Sequence, residues 1–153
     1  MEHHFTILEE SFLISDDKAL LSVQAVHHYL SEESYWSKEI PLQTVKDAIE
    51  NSLCVGVYFN NKTIGFARII TDFATFAYLC DVYVLNEFRG KGISKQLMKF
   101  IMQHHKLKGL RRWMLMTKDA HGLYQQFGWC PLASPEKAME INYPDIYQID
   151  KIE

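Results

Sequence analysis

Apolar positions recur first at helical spacing, then at strand spacing, then alternate between the two. Thr6–Phe12 predicts a first strand. Ser15 stands before Asp16 and Asp17, a capping residue followed by acids, and predicts a helix start there. Ala19, Leu20, Val23, Val26, His27 and Leu30 carry the helical spacing through Ser31. The polar and aromatic stretch Glu32–Ile40 predicts a loop. Pro41 suits the start of a second helix, where its missing N–H is not needed, and Leu42, Val45, Ala48 and Ile49 give that helix an apolar face.

The middle of the chain turns β-branched and continuously apolar. Leu53–Phe59, Thr63–Thr71 and Phe76–Leu85 predict three strands, with turns at Asn60-Asn61 and Asp72–Thr75. After Asn86–Gly92 a helix is expected over Ile93–Leu107, with Ile93, Leu97, Phe100, Ile101 and His104 on one face and Gly109 at its end. Arg112–Thr117 predicts a strand and Ala120–Phe127 a short helix closed by Gly128. Two weaker strands are expected at Cys130–Leu132 and Met139–Asn142. Helices, a meander, then strand–helix–strand–helix predict a mixed α/β fold around a central sheet.

Composition narrows the function. A length of 153 residues predicts a single domain, residues 1–153, and 48% hydrophobic with 23% charged residues suits a soluble globular chain. A formal net charge of −3 carries no basic excess, which argues against nucleic acid as the partner. No apolar run reaches the ~20 residues that span a bilayer, and the polar start Met1-Glu2-His3-His4 has no signal-peptide core, so no membrane partner is expected. Cys54, Cys80 and Cys130 lack metal-ligand spacing and read as buried reduced thiols, which places the chain in the cytoplasm and predicts no metal. The pairs His3-His4, His27-His28 and His104-His105 are poor ligand sets, because adjacent side chains point in different directions.

The most informative segment runs from Asp81 to Ser94: an apolar strand, a short loop, then Gly90 and Gly92 opening an amphipathic helix. Unpaired N–H groups and the helix dipole favour anions at such a start, and Arg89, Lys91 and Lys95 add positive charge. A P-loop pattern is absent, and Lys95 stands where a dinucleotide fingerprint requires its third glycine. A diphosphate cradle and a glycine-rich helix cap both fit these residues.

Here the sequence resembles the GNAT superfamily of N-acetyltransferases. That family's acetyl-CoA motif, Q/R-x-x-G-x-G/A, reads Arg89-Gly90-Lys91-Gly92-Ile93-Ser94, with Ser in the last place. Leu123-Tyr124-Gln125-Gln126-Phe127-Gly128-Trp129 resembles the later LYxxxGF element, with Trp for Phe. The likeness covers about Ser11 to Asn142. It implies a mostly antiparallel, splayed central sheet flanked by about four helices. It also implies acetyl-CoA as co-substrate, with Val82, Tyr83 and Val84 lending backbone groups to the pantetheine arm and Arg89 through Lys95 holding the pyrophosphate. The acetyl group would lie where the strand at Tyr78–Leu85 splays from that at Arg112–Thr117. Tyr124 would sit beside the thioester sulfur.

The implied reaction is direct transfer to an amine in a ternary complex, with a backbone N–H near Val82–Val84 as oxyanion donor. Tyr124 would protonate or hydrogen-bond the leaving thiolate; full transfer from an ordinary phenol runs uphill by about 1.5 units, roughly 2 kcal/mol. Asp81 is the first candidate for the base or for an amine anchor, although a structural role, pairing with Arg68 or binding loop amides, is an equal reading. Asp72 reads as a turn residue. Tyr35 and Trp36 resemble the acceptor-lining region, and Phe73, Phe76 and Tyr78 are further candidates for the same cleft. His121 lies close enough in sequence to Tyr124 to be a CoA contact, though a structural or exposed role suits it better. A small-molecule amine is favoured as partner, a protein amine is the second choice, and a homodimer stays open. An acyl-CoA-binding sensor or structural module without turnover is the alternative function.

Overall fold

The computed structural model describes residues 1–148. Its six strands are β1 (Glu2–Ile7), β2 (Glu10–Ser15), β3 (Leu53–Phe59), β4 (Lys62–Thr71), β5 (Phe76–Val84) and β6 (Arg112–Leu115). They pair in chain order, antiparallel except for the parallel pair β5–β6. The α-helices among the described residues are α1 (Val23–His28), α2 (Leu42–Glu50), α3 (Ile93–Gln103) and α4 (His121–Gln125). The expected mixed α/β architecture is therefore present.

Side chains alternate across the sheet and define two apolar layers. Val55, Val57, Ala67 and Ile69 turn to α3 and α4, whereas Cys54 and Phe66 turn to α1 and α2. Burial on both faces explains why β3 reads as an unbroken apolar run rather than an alternating one. On α3 the predicted stripe holds for Ile93, Leu97, Phe100 and Ile101, and His104, just past the helix end, is buried with them. Each aliphatic or aromatic member contributes roughly 1.5–3 kcal/mol by leaving water. His104 belongs there because its Nε2 lies 2.7 Å from Asp16 Oδ2 and its Nδ1 accepts the Lys106 N–H at 3.3 Å.

Local polar chemistry moved several expected boundaries. The single strand expected over Thr6–Phe12 is a hairpin, folded at Leu8 and Glu9 with φ of 49° and 67°. These residues carry no ordinary turn signal. Ser15 does not open a helix but is a buried strand residue. Instead Asp17 caps a 3-10 turn, Lys18–Leu20, and the Ser22 hydroxyl caps α1 by accepting the Ala25 N–H at 3.2 Å. Two caps a few residues apart divide what hydrophobic spacing alone joins. A π turn, Tyr29–Glu33, continues α1 into the expected loop. The α3 helix ends at Gln103 rather than Leu107 because His104 is extended and a 3-10 turn follows. Cys130–Leu132 and Met139–Asn142 form no strands, and Met139 and Ile141 are exposed. Cys130 is exposed as well, not buried as expected.

The Asn60-Asn61 turn forms as read, with φ of 49° and 60°. Asp72 is a turn residue: its Oδ1 accepts N–H groups of Ala74, Thr75 and Phe76 at 2.8–3.1 Å. The Thr75 hydroxyl and then these amides hold its carboxyl well below the usual range. No helix among the described residues is long and apolar enough to cross a membrane.

Candidate active site

An irregularity in the sheet creates the site. Phe66 pairs with Tyr83 and Arg68 with Cys80, so Asp81 and Val82 together face Ala67 alone. This is a β-bulge, and Asp81 sits in it with φ of 52°. Parallel pairing with β6 runs only from Phe76–Arg112 to Leu79–Leu115. Beyond Leu79 the pairing stops where β6 ends, and the edge of residues 80–84 on that side has no strand paired to it among the described residues. The expected split is present, and the bulge marks where it opens.

Below the split lies the glycine turn. Gly90 and Gly92 have φ of 75° and 84°, left-handed values that cost other residues strain. A Cβ at either position would meet no atom within 4 Å, so the space above both is open. Lys95 and Gln96 donate to the Gly92 carbonyl, while the amides from Gly90 to Ser94 have no internal acceptor among the described residues. Ile93, Tyr83 and Val84 are buried. Ser94 is half-buried, with no hydrogen-bond partner for its hydroxyl among the described residues.

The basic side chains do not simply line this turn. Arg89 turns inward: Nε donates to the Val84 carbonyl and Nη2 to the Tyr29 hydroxyl, both at 2.9 Å. Lys91 pairs with Glu10 at 2.8 Å, which offsets its charge; Arg89 and Lys95 are exposed, and only Lys95 has no hydrogen bond or ion pair among the described residues. An anion placed at this turn would therefore meet amides more than lysine charge. Tyr29, whose ring stacks on Tyr83 with centroids 3.7 Å apart, was not visible in the sequence as a site residue. Burial raises its pKa more than the Arg89 cation lowers it.

The loop after the π turn crosses the mouth of the split and is fastened on both sides. Trp36 Nε1 donates to Asp81 Oδ1 at 3.0 Å. The Tyr35 hydroxyl accepts the Lys118 N–H at 3.1 Å, on the far wall. Asp81 Oδ2 accepts Arg68 Nε at 2.7 Å, so the anticipated ion pair is formed and both carboxylate oxygens hold donors. Asp119, missed in the sequence, has no hydrogen bond among the described residues, and its charge reaches both Tyr29 and Tyr124. Phe73 does not join the cleft; it lines a separate pocket with Lys18 and His105. Phe76 and Tyr78 are half-buried on β5, and His121 is exposed.

Tyr124 is 8% exposed, and the ring of Trp129 packs edge-on against it. Its hydroxyl has no hydrogen-bond partner among the described residues and is not among the fully enclosed polar atoms. Burial first, then the charges of Tyr35 and Asp119, push its pKa up to about 12. Trp129 brings an indole N–H that is buried without a partner. No group of His, Cys, Asp and Glu among the described residues is arranged to hold a metal ion.

Comparison with known proteins agrees with this geometry. The model of the acetyltransferase (GNAT) family matches residues 23–129. A crystal structure of a candidate GNAT-family acetyltransferase from Xanthomonas campestris pv. campestris is 47% identical, with a TM-score of 0.87, over 89% of this chain and 96% of that one. A candidate acetyltransferase of Gibberella zeae is 33% identical over 135 residues, 74% of this chain and 75% of the relative. A GNAT-family acetyltransferase from Elizabethkingia anophelis, solved with acetyl-CoA bound, shares the fold at a TM-score of 0.59 and 16% identity, over 86% and 88% of the two chains.

Proposed function

Because the chain belongs to the acetyltransferase (GNAT) family, we propose that it moves an acetyl group from acetyl-CoA directly to a primary amine of a small molecule. What supports this reading is a set of three features: amides at Gly90–Ser94 without an internal acceptor, the edge of residues 80–84 without a paired strand, and a Tyr124 hydroxyl without a hydrogen-bond partner, all among the described residues. The residues suit the co-substrate: the space over Gly90 and Gly92 admits a diphosphate close to the main chain. Acetyl-CoA, when bound, supplies a thioester carbonyl for the amine and a thiol as leaving group.

The amides of Gly90 to Ser94 hold the diphosphate, and the free main-chain edge at Val82–Val84 receives the pantetheine arm and polarises the carbonyl. Tyr124 acts as a hydrogen-bond donor to the sulfur, not as a full acid. With its pKa pushed up to about 12, complete transfer to a thiolate near 8.5 costs roughly 5 kcal/mol. Asp81 anchors the amine through its remaining lone pairs, because Arg68 and Trp36 already hold both oxygens. A bound ammonium near pKa 10.4 is neutral in about one molecule in a few thousand at pH 7, so its proton leaves to water or Asp119 before attack.

The test is thiol release from acetyl-CoA against a panel of amines, beside calorimetric binding of CoA. Amine-dependent release is the expected result. Binding of CoA without release from any amine would overturn it in favour of a sensor.

A further inference from the structure

A cavity of about 80 Å³ lies between the sheet and helices α1 and α2, with the bulge at one end. Its walls are mainly apolar, with Val26, Leu30, Ile40, Val45, Ile49 and Phe66 among them, and Ser37, Thr44 and Tyr147 add polar groups. Arg68 and Asp81 are the charged residues that line it, and their formal charges cancel. An ion pair in such walls is expensive to keep in place of well-packed apolar residues, so stability alone is a poor reason for it.

The pair is also incompletely satisfied. Arg68 donates Nε to Asp81 and Nη1 to the Ser52 hydroxyl, and Nη2 has no partner among the described residues. Asp81 accepts one N–H on each oxygen, from Arg68 and Trp36, and a carboxylate has about four acceptor positions. Spare cationic donors on Arg68 and spare acceptor positions on Asp81 thus stand side by side next to a mainly apolar hollow. The volume takes roughly five water-sized groups, about the size of a branched aliphatic side chain.

We infer that the acceptor is a free α-amino acid with a short apolar side chain, its carboxylate on Arg68, its amino group on Asp81 and its side chain in the cavity. This deepens the acetyl-transfer reading above and rests on it. A polyamine brings several cations to a site whose net charge is zero and meets Arg68 as a like charge. A protein lysine brings an ammonium with no neighbouring carboxylate and leaves Arg68 Nη2 unpaired. A leucine or valine satisfies both groups, with one carbon between its charges.

The experiment compares leucine and valine with isoamylamine, which is leucine without its carboxylate, and with leucinamide and spermidine, by thiol release from acetyl-CoA. Leucine is expected to exceed isoamylamine in kcat/KM by at least about 100-fold, as a site built around a polar substrate group rejects analogues lacking it. In Arg68→Gln the ratio of leucine to isoamylamine should collapse to within about threefold, since the group that reads the carboxylate is gone. If that variant does not fold, the wild-type ratio decides alone. Isoamylamine, leucinamide or spermidine used as well as leucine overturns the acceptor class and leaves acetyl transfer standing. Thiol release with none of these amines but with another amine of the panel overturns this inference and leaves acetyl transfer standing; release with no amine of the panel overturns both.

Discussion

The two walls of the split differ in how the chain makes them. Seven consecutive residues, Arg89 to Lys95, form the proposed diphosphate side. The proposed acceptor side gathers Tyr35, Trp36, Arg68, Asp81 and Lys118 from four separate segments, with hydrogen bonds of 2.7–3.1 Å among them. The first wall works through main-chain N–H groups, which any residue supplies once glycine permits the torsions. The second works through side chains, whose identity matters and whose meeting depends on the whole fold. A cradle of amides tolerates variation around a few glycines; an assembled polar cluster fails when one member is lost.

The sharpest way to break this contrast is Asp81→Ala. It leaves Arg68, a mostly buried cation, without its partner, and breaking a buried pair costs about 3–5 kcal/mol. Urea unfolding measures the loss. A change below about 1 kcal/mol would mean that the pair behaves like a surface one and that the acceptor wall is less tightly assembled than described.

Next in size is Tyr124→Phe, which stands between the walls. Turnover should fall about 100-fold, the low end for a proton-handling group, while CoA affinity holds. With its pKa raised by burial to about 12, Tyr124 stays protonated throughout the working range. The pH–rate profiles of the variant and the wild type should therefore run parallel between about pH 6 and 10. A limb lost from the variant's profile would restore the full-acid role.

The same contrast governs what the sequence reveals. The glycine turn, the α3 stripe and the Asn60-Asn61 hairpin depend on neighbours in the chain, and their spacing is enough to read them. The ion pair of Arg68 and Asp81 was legible as an alternative because two opposite charges flank one hairpin. Tyr29 was not, because its partner Arg89 is 60 residues away and a π turn aims its ring. The hairpin at Leu8-Glu9 escaped because neither residue favours positive φ. The strands expected at Cys130–Leu132 and Met139–Asn142 had the composition of strands, and composition does not supply a pairing partner. The bulge at Asp81 left no mark in the apolar pattern, although it decides where the split opens.

Gly92→Val probes the cradle alone. At φ of 84° a β-branched residue carries about 1–3 kcal/mol of strain, although the free protein has room for the Cβ. Relief of that strain moves the amides, and the added carbons fill the space a diphosphate needs. Calorimetry should show CoA binding weakened about 10- to 100-fold, in line with that strain. Unchanged binding would remove the cradle from the account of the site.

Tyr29→Phe is the smallest change and asks whether the walls are independent at all. Tyr29 touches both: its hydroxyl holds Arg89 at 2.9 Å, and its ring lies 6.4 Å from that of Trp36. The substitution keeps the stack on Tyr83 and removes only the hydrogen bond. Arg89 keeps its bond to the Val84 carbonyl, so the turn is loosened rather than released. Water replaces the lost acceptor at an exposed guanidinium, which puts the cost near the low end for a charged hydrogen bond. The KM for acetyl-CoA should rise about 3- to 10-fold on that basis, with little change in the KM for the amine. Separate walls predict that split. A matched rise in both constants would show that the segment from Tyr29 to Trp36 transmits the state of one wall to the other, and the amide cradle and the side-chain cluster would then form one mechanical unit.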